Sequence, residues 1–164
     1  MQNEEHRLQQ LQAALLEVLE EAMSVDEAAF GKIRVYNPQT HALEITAQRG
    51  FSDDFVQSFR AIDTDEEVAC ARAFRMRRRV TVPNVSHDPL AKTYRELARE
   101  EGFKAFQATP LIGPDGKVVG TLSTHFPRVH QPSTSAQLVL DYLSGKAALL
   151  IASLMGPQSA AAEP

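Results

Sequence analysis

The chain has 164 residues, of which 43% are apolar, 23% charged and 7% aromatic, with 17 basic against 21 acidic side chains. At ~100–200 residues per domain this is one globular domain with its flanking segments, and a collagenous, disordered or disulfide-stapled chain is excluded. A net charge of −4 gives no electrostatic reason to expect nucleic acid or an anionic membrane as the main partner.

Leu8, Leu11, Leu15, Val18 and Ala22 recur three and four residues apart with charged residues between them, which predicts an amphipathic helix over residues 1–24. Ile33 and Val35, then Leu43, Ile45 and Ala47, alternate with polar residues on either side of Asn37-Pro38-Gln39-Thr40, the pattern of a β-hairpin. Three short helices follow, each with a start signal: Ser52 before Asp53–Phe59, Thr64 with Glu67 before Val68–Met76, and Asp88-Pro89 before Leu90–Glu101. A short strand at Val80–Val82 separates the last two, and Gly102 is placed to end the third helix in a left-handed conformation. Lys104–Ile112 and Lys117–Phe126 flank a Gly113-Pro114-Asp115-Gly116 turn and predict a long hairpin. Leu140, Leu143, Ala147, Leu150 and Leu154 form a closing helix with a second apolar line at Val139, Tyr142 and Leu149, capped by Thr134 with Gln137 and stopped by Gly156-Pro157. Residues 156–164 read as a flexible tail, so the domain proper is 25–155 with the first helix attached to it. The order α-β-β-α-α-β-α-β-β-α implies an α+β fold with helices grouped on an antiparallel sheet. No apolar stretch is read as long enough to span a bilayer and Met1–Glu5 is not a basic leader, so the expectation is a cytoplasmic protein or the cytoplasmic piece of a larger one.

Five strings, in this order of elements, make the chain resemble the GAF domain family. They are Phe30–Asn37, Ala47–Phe51, Ala69–Ala73, Val82–Leu90, and Gln107–Ile112 followed by Gly120–Phe126. Within the family the chain looks most like GAF domains of bacterial two-component sensor kinases, and the resemblance spans roughly residues 10–155. It implies five or six antiparallel strands, both terminal helices on one face, and a ligand pocket on the other face under the short helices. The resemblance places Phe106, Ala108, Thr121, Ser123, His125 and Tyr94 as ligand contacts, with Phe74 and Leu90 closing the roof. Tyr94 stands where phytochromes carry a pocket histidine, and Thr93 where some of them attach bilin through cysteine, so no covalent bilin is expected. Val68 and Ala71 stand where relatives often have glycine, implying a stiffer roof helix.

Cys70 is the single cysteine, which excludes an intramolecular disulfide or a cysteine-rich zinc site within one chain. Two readings of it stand: a buried small hydrophobe, and a redox-sensing thiol activated by Arg72 and the helix N-terminus. GAF domains that reduce free methionine sulfoxide use several cysteines, which this chain cannot supply. The five histidines show no metal-ligand spacing, and His125 is the one candidate for a haem ligand. Arg75, Arg77, Arg78 and Arg79 read as cations at a helix C-terminus, with Asp63, Asp65, Glu66 and Glu67 at its other end. Leu8, Leu11, Leu15, Leu143, Leu150 and Leu154 are assigned to a helical bundle between two copies. The functional expectation is a non-enzymatic small-molecule sensor, a homodimer acting on a histidine kinase or other signalling protein. The alternatives are a dimerisation domain whose pocket is filled by its own side chains, and a redox switch at Cys70.

Overall fold

Two antiparallel hairpins share a central seam, and the rest of the molecule is laid on the two faces of the sheet they make. The computed structural model describes residues 2–155, and of Leu90, Ala91 and Thr93 the backbone alone. Helix α1 (Gln2–Val25) leads into β1 (Phe30–Asn37) and β2 (Ala42–Arg49). Next come α2 (Asp53–Ser58), β3 (Ala61–Asp63), α3 (Ala69–Met76) and β4 (Val80–Val82). A 3-10 turn (Pro89–Tyr94) runs into α4 (Arg95–Glu101), followed by β5 (Ala105–Ile112), β6 (Val118–Phe126) and α5 (Thr134–Met155). The six strands lie in the order β3-β2-β1-β6-β5-β4, all antiparallel, so β1 and β6 are the central pair.

Strand β3 has no counterpart in the sequence reading, which gives Ala61–Asp63 no element of its own. The caps are also partly corrected. Ser52 accepts from the Phe55 amide at 3.1 Å as expected, whereas α3 starts at Val68 with no side-chain cap. Helix α5 is capped one residue earlier than expected, Ser133 accepting from the Ala136 amide at 3.2 Å. Gly102 ends α4 at φ 99°, the left-handed region that glycine enters without steric cost. The expected tail at 156–164 lies outside the described residues.

The pleat sends alternate residues of the central strands to opposite faces. Ile33 and Val35 of β1, Leu122 of β6 and Leu111 of β5 meet Leu11, Leu15, Val18, Leu19, Leu140, Leu143, Ala147 and Ile151 of α1 and α5 in one apolar core. Leu11, Leu15 and Leu143 are therefore spent inside the monomer, at 0–2% exposure, which corrects their assignment to a dimer seam. Leu150 and Leu154 pack against the same core, and only Leu8 of that set is exposed, at 44%. The outer face of α5 carries Leu138, Val139, Tyr142 and Leu149 instead. A seam between two copies would have to use that outer stripe. Helix α5 is also long and apolar enough to cross a membrane, contrary to the sequence reading, although one face of it is committed to this core.

A polar ladder ties α5 to the sheet on the same side. Arg79 donates to Thr109 Oγ1 (2.9 Å) and, on α5, to Asp141 (2.5 Å). Thr109 donates to Gln107 Oε1 (2.5 Å), and Gln107 donates to Thr124 Oγ1 (3.0 Å). The arginine cluster is accordingly not a purely solvated helix end. Arg75 reaches back to the carbonyls of Thr64 and Glu66, and Arg77 to that of Gly116.

Close approach of the central strands rests on Gly120, where a Cβ would lie 2.1 Å from the Arg34 carbonyl oxygen across the β1–β6 pair. Because that neighbour is backbone, it cannot rotate away. Gly120→Ala is expected to destabilise the domain by at least roughly 1–3 kcal/mol, read as a lower urea midpoint with an unchanged slope.

Candidate functional site

On the other face of the sheet a second apolar core forms from α2, β3, α3, α4 and the 3-10 turn, centred on Phe51, Phe55, Ile62, Phe103 and Phe106. It does not fill the space completely. A cavity of about 160 Å³ remains, floored by Lys32 and Arg34 of β1, Phe106 and Ala108 of β5, and Ser123 and His125 of β6. Phe55, Phe59, Ile62, Val68, Cys70, Tyr94 and Leu97 roof it. Roof and rim are held together where Ser52, at the start of α2, donates through its amide and hydroxyl to the Glu101 carboxylate of α4, at 2.9 and 2.8 Å.

The floor carries two buried cations. Lys32 is 6% and Arg34 2% exposed, and among the described residues no carboxylate lines the cavity. Lys32 Nζ donates to Ser123 Oγ (2.9 Å) and to His125 Nε2 (3.2 Å), and lies 5.3 Å from the Phe51 ring centre and 5.9 Å from that of Phe55. An ammonium has no lone pair, so Nε2 must be the acceptor and the His125 proton sits on Nδ1, which has no partner. His125 is wedged among aromatic rings, stacked on Phe106 (5.1 Å) and edge-on to Phe103 (4.6 Å). Burial, reinforced by the charges of Lys32 and Arg34, keeps its pKa well below the ordinary histidine value, so the ring is neutral. Arg34 donates to the Leu43 carbonyl (3.0 Å), while its Nε is buried without a partner. Tyr94 Oη and Thr121 Oγ1 are buried as well, beside the Ala69 backbone and the Cys70 thiol respectively.

Desolvation lowers the Lys32 pKa to about 8, with the Cys70 thiol opposing and Arg34 reinforcing that shift. For Cys70, burial works against ionisation, but the charges of Lys32 and Arg34, helped by the Thr121 and Ser123 hydroxyls, outweigh it and hold the thiol below its ordinary value. Burial raises the Tyr94 phenol, which stays protonated. The site is thus a small apolar chamber whose concentrated charge is positive, with Cys70 as the anion-forming group nearest to it.

Of the residues named from the sequence, Tyr94, Phe106, Ala108, Ser123 and His125 line this cavity. Thr121 shares their face of β6 and acts on Cys70 but does not line the cavity. Phe74 does not close the roof; its ring packs on Tyr36 at 4.8 Å, a correction that follows from its place near the far end of α3. The Leu90 side chain lies outside those described. Cys70 is buried, as one reading held, yet it also borders the cavity, within the field of both cations. The sequence reading missed Lys32 and Arg34 altogether. Among the described residues, no three His, Cys, Asp or Glu side chains come together to hold a metal ion. A cavity of this size takes a molecule of benzene's class, for which ~150 Å³ suffices.

A family model described as GAF domain matches residues 6–152. Among solved structures, the chain is similar to the GAF domain of a phosphoenolpyruvate-protein phosphotransferase from Coxiella burnetii, with 17% identity, 96% of this chain and 98% of that one covered, and a TM-score of 0.77. It is also similar to a type II free methionine-R-sulfoxide reductase from Thermoplasma acidophilum, with 16% identity, 93% and 96% coverage and a TM-score of 0.70. A third is the blue-light absorbing form of the PixJ GAF domain from Thermosynechococcus elongatus, with 14% identity, 95% and 93% coverage and a TM-score of 0.68. At these identities the likeness is one of fold. No curated protein matches the chain.

The buried ammonium has a measurable cost. Its folded-state pKa of about 8 lies below the unfolded value near 10.5, so below pH 8 the fold carries a penalty of about 3 kcal/mol, relieved as pH rises from 8 to 10.5. Lys32→Met is expected to stabilise the protein by about that amount at pH 7, with the gap to wild type closing through that window, as measured by urea unfolding at a series of pH values.

Proposed function

This chain belongs to the GAF domain family, a regulatory, small-molecule-binding fold, and from that premise we propose that it is a non-enzymatic sensor whose cavity holds a small organic anion, a carboxylate on an apolar body. The observation that carries the reading is the pair Lys32 and Arg34, both buried, both on the cavity floor, with no carboxylate among the described residues lining the space. A charge removed from water without a partner costs several kcal/mol, and an anion that enters the cavity removes that cost while meeting donors already in place. The Arg34 Nε–H has no protein acceptor. The remaining walls are phenyl rings and aliphatic groups, which suit a short hydrocarbon body and give nothing to a strongly hydrated inorganic ion.

The same strands supply the output. Lys32 and Arg34 alternate with Ile33 and Val35, and Ser123 is adjacent to Leu122, so a ligand that draws the cations inward acts on strands whose reverse side bears on α1 and α5. Close-packed cores transmit such shifts because they do not deform continuously. The ligand moves the terminal helices only by its differential affinity for the two arrangements.

Short monocarboxylates such as propionate, butyrate and pyruvate are expected to raise the melting temperature of the full chain, and their amides and alcohols are not. A ligand at a hundred times its Kd adds ~2.7 kcal/mol of stability, well within reach of a thermal-shift or calorimetric measurement. Arg34→Met and Lys32→Met should each weaken the carboxylate effect at least tenfold. Equal shifts from neutral amides would overturn the anion reading.

A further inference from the structure

Lys32 differs from an ordinary anion-binding lysine in three ways that concern bond formation. Its amine is buried, it borders a cavity, and it is held by a hydroxyl and by a neutral imidazole, with the Cys70 thiol also in reach, instead of by a carboxylate. An amine in such surroundings sheds its proton far more readily than one in water, and the free base is the nucleophile. With a pKa of about 8, roughly one chain in ten carries it at pH 7. Arg34, on the same face of the same strand, keeps its charge and has an unpartnered Nε–H. In a 2-oxo acid the carbonyl carbon is bonded directly to the carboxylate carbon, so a carboxylate paired with Arg34 brings the carbonyl beside the neighbouring amine. We propose that the cavity captures a small 2-oxo acid covalently and reversibly, as an imine on Lys32; this rests on the anion reading above.

The step balances without any redox partner. Nζ enters as the free base, the fraction its lowered pKa supplies, because His125 is too weak a base to deprotonate the ammonium; one of its two N–H protons passes to the carbonyl oxygen in the addition. The Nζ lone pair forms a C–N bond to the carbonyl carbon while the C=O π pair goes to oxygen, which takes up that proton to give the carbinolamine. The second N–H proton and the hydroxyl then leave as water, and the C=N bond closes. Ser123 Oγ, 2.9 Å from Nζ, can relay the first proton from nitrogen to the developing alkoxide. The Phe55, Phe103 and Phe106 walls receive the alkyl end. A ligand of about six non-hydrogen atoms, the size of pyruvate, matches a space of benzene's class.

The test is reductive trapping on the full chain with pyruvate and cyanoborohydride, read by intact mass and peptide mapping, with lactate as the isostere that lacks a carbonyl. The expected result is one carboxyethyl group per chain on Lys32, at least tenfold above that on Lys92, Lys104, Lys117 or Lys146, and suppressed by lactate. Lys32→Arg, which keeps the cation and cannot form an imine, should still bind lactate by thermal shift and lose the label. Lys32→Met serves as a second unlabelled variant should the arginine not be accommodated. Label spread over the lysines according to exposure overturns the proposal. Equal thermal shifts from pyruvate and lactate with no label on Lys32 overturn the imine and leave the anion reading standing, whereas no shift from either acid and no label overturn both.

Discussion

The arrangement depends on two buried positive charges. Lys32 and Arg34 sit on β1, one of the two central strands, with the short helices over them. Their hydrogen bonds to Ser123, His125 and the Leu43 carbonyl reduce the penalty of burial, and the phenyl faces of Phe51 and Phe55 reduce it further for Lys32. None of these groups carries a negative charge. The thiol of Cys70 is drawn toward ionisation by the two cations, so the site answers its own field in part through a weak acid that burial alone would have kept neutral.

That view changes the meaning of the neighbouring residues. His125, expected as a direct ligand contact or a haem ligand, lines the cavity and also fixes Lys32. Its ring is held by Phe106 and Phe103, its Nε2 by the ammonium, and its neutrality by burial and the field of both cations. Cys70, read from the sequence as a filler or as a redox thiol, borders the cavity, where the charges of Lys32 and Arg34 favour its ionisation and burial opposes it.

The elements with strong local chemistry were legible in the sequence: both hairpins through turn residues and period-two alternation, α2 through Ser52, the end of α4 through Gly102, and α1 and α5 through their leucine stripes. Illegible were features that depend on what lies across the sheet. The three-residue β3 has no pattern of its own and exists because β2 offers an edge. The inner leucines of α1 and α5 look alike whether they cover a sheet or a second copy, and the sheet took Leu11, Leu15 and Leu143. Lys32 and Arg34 were invisible for a related reason. On a strand, charged residues alternating with Ile33 and Val35 have the pattern of a solvated outer face.

One inference available from the sequence would nonetheless have exposed them. A strand whose hairpin partner follows it and whose other neighbour is the last strand of the chain is necessarily central. Once the terminal helices cover one face of such a strand and the short helices the other, neither face is in water. Any charge on it must then be buried, and a buried charge must find a counter-charge, shift its pKa or await a ligand. Lys32 does the second, and its Ser123 and His125 partners do not supply the first. A methionine at that position would pack in the same volume without the penalty, so stability alone does not account for a lysine there. The third course, an anion supplied from outside, is what the remaining space of the chamber permits.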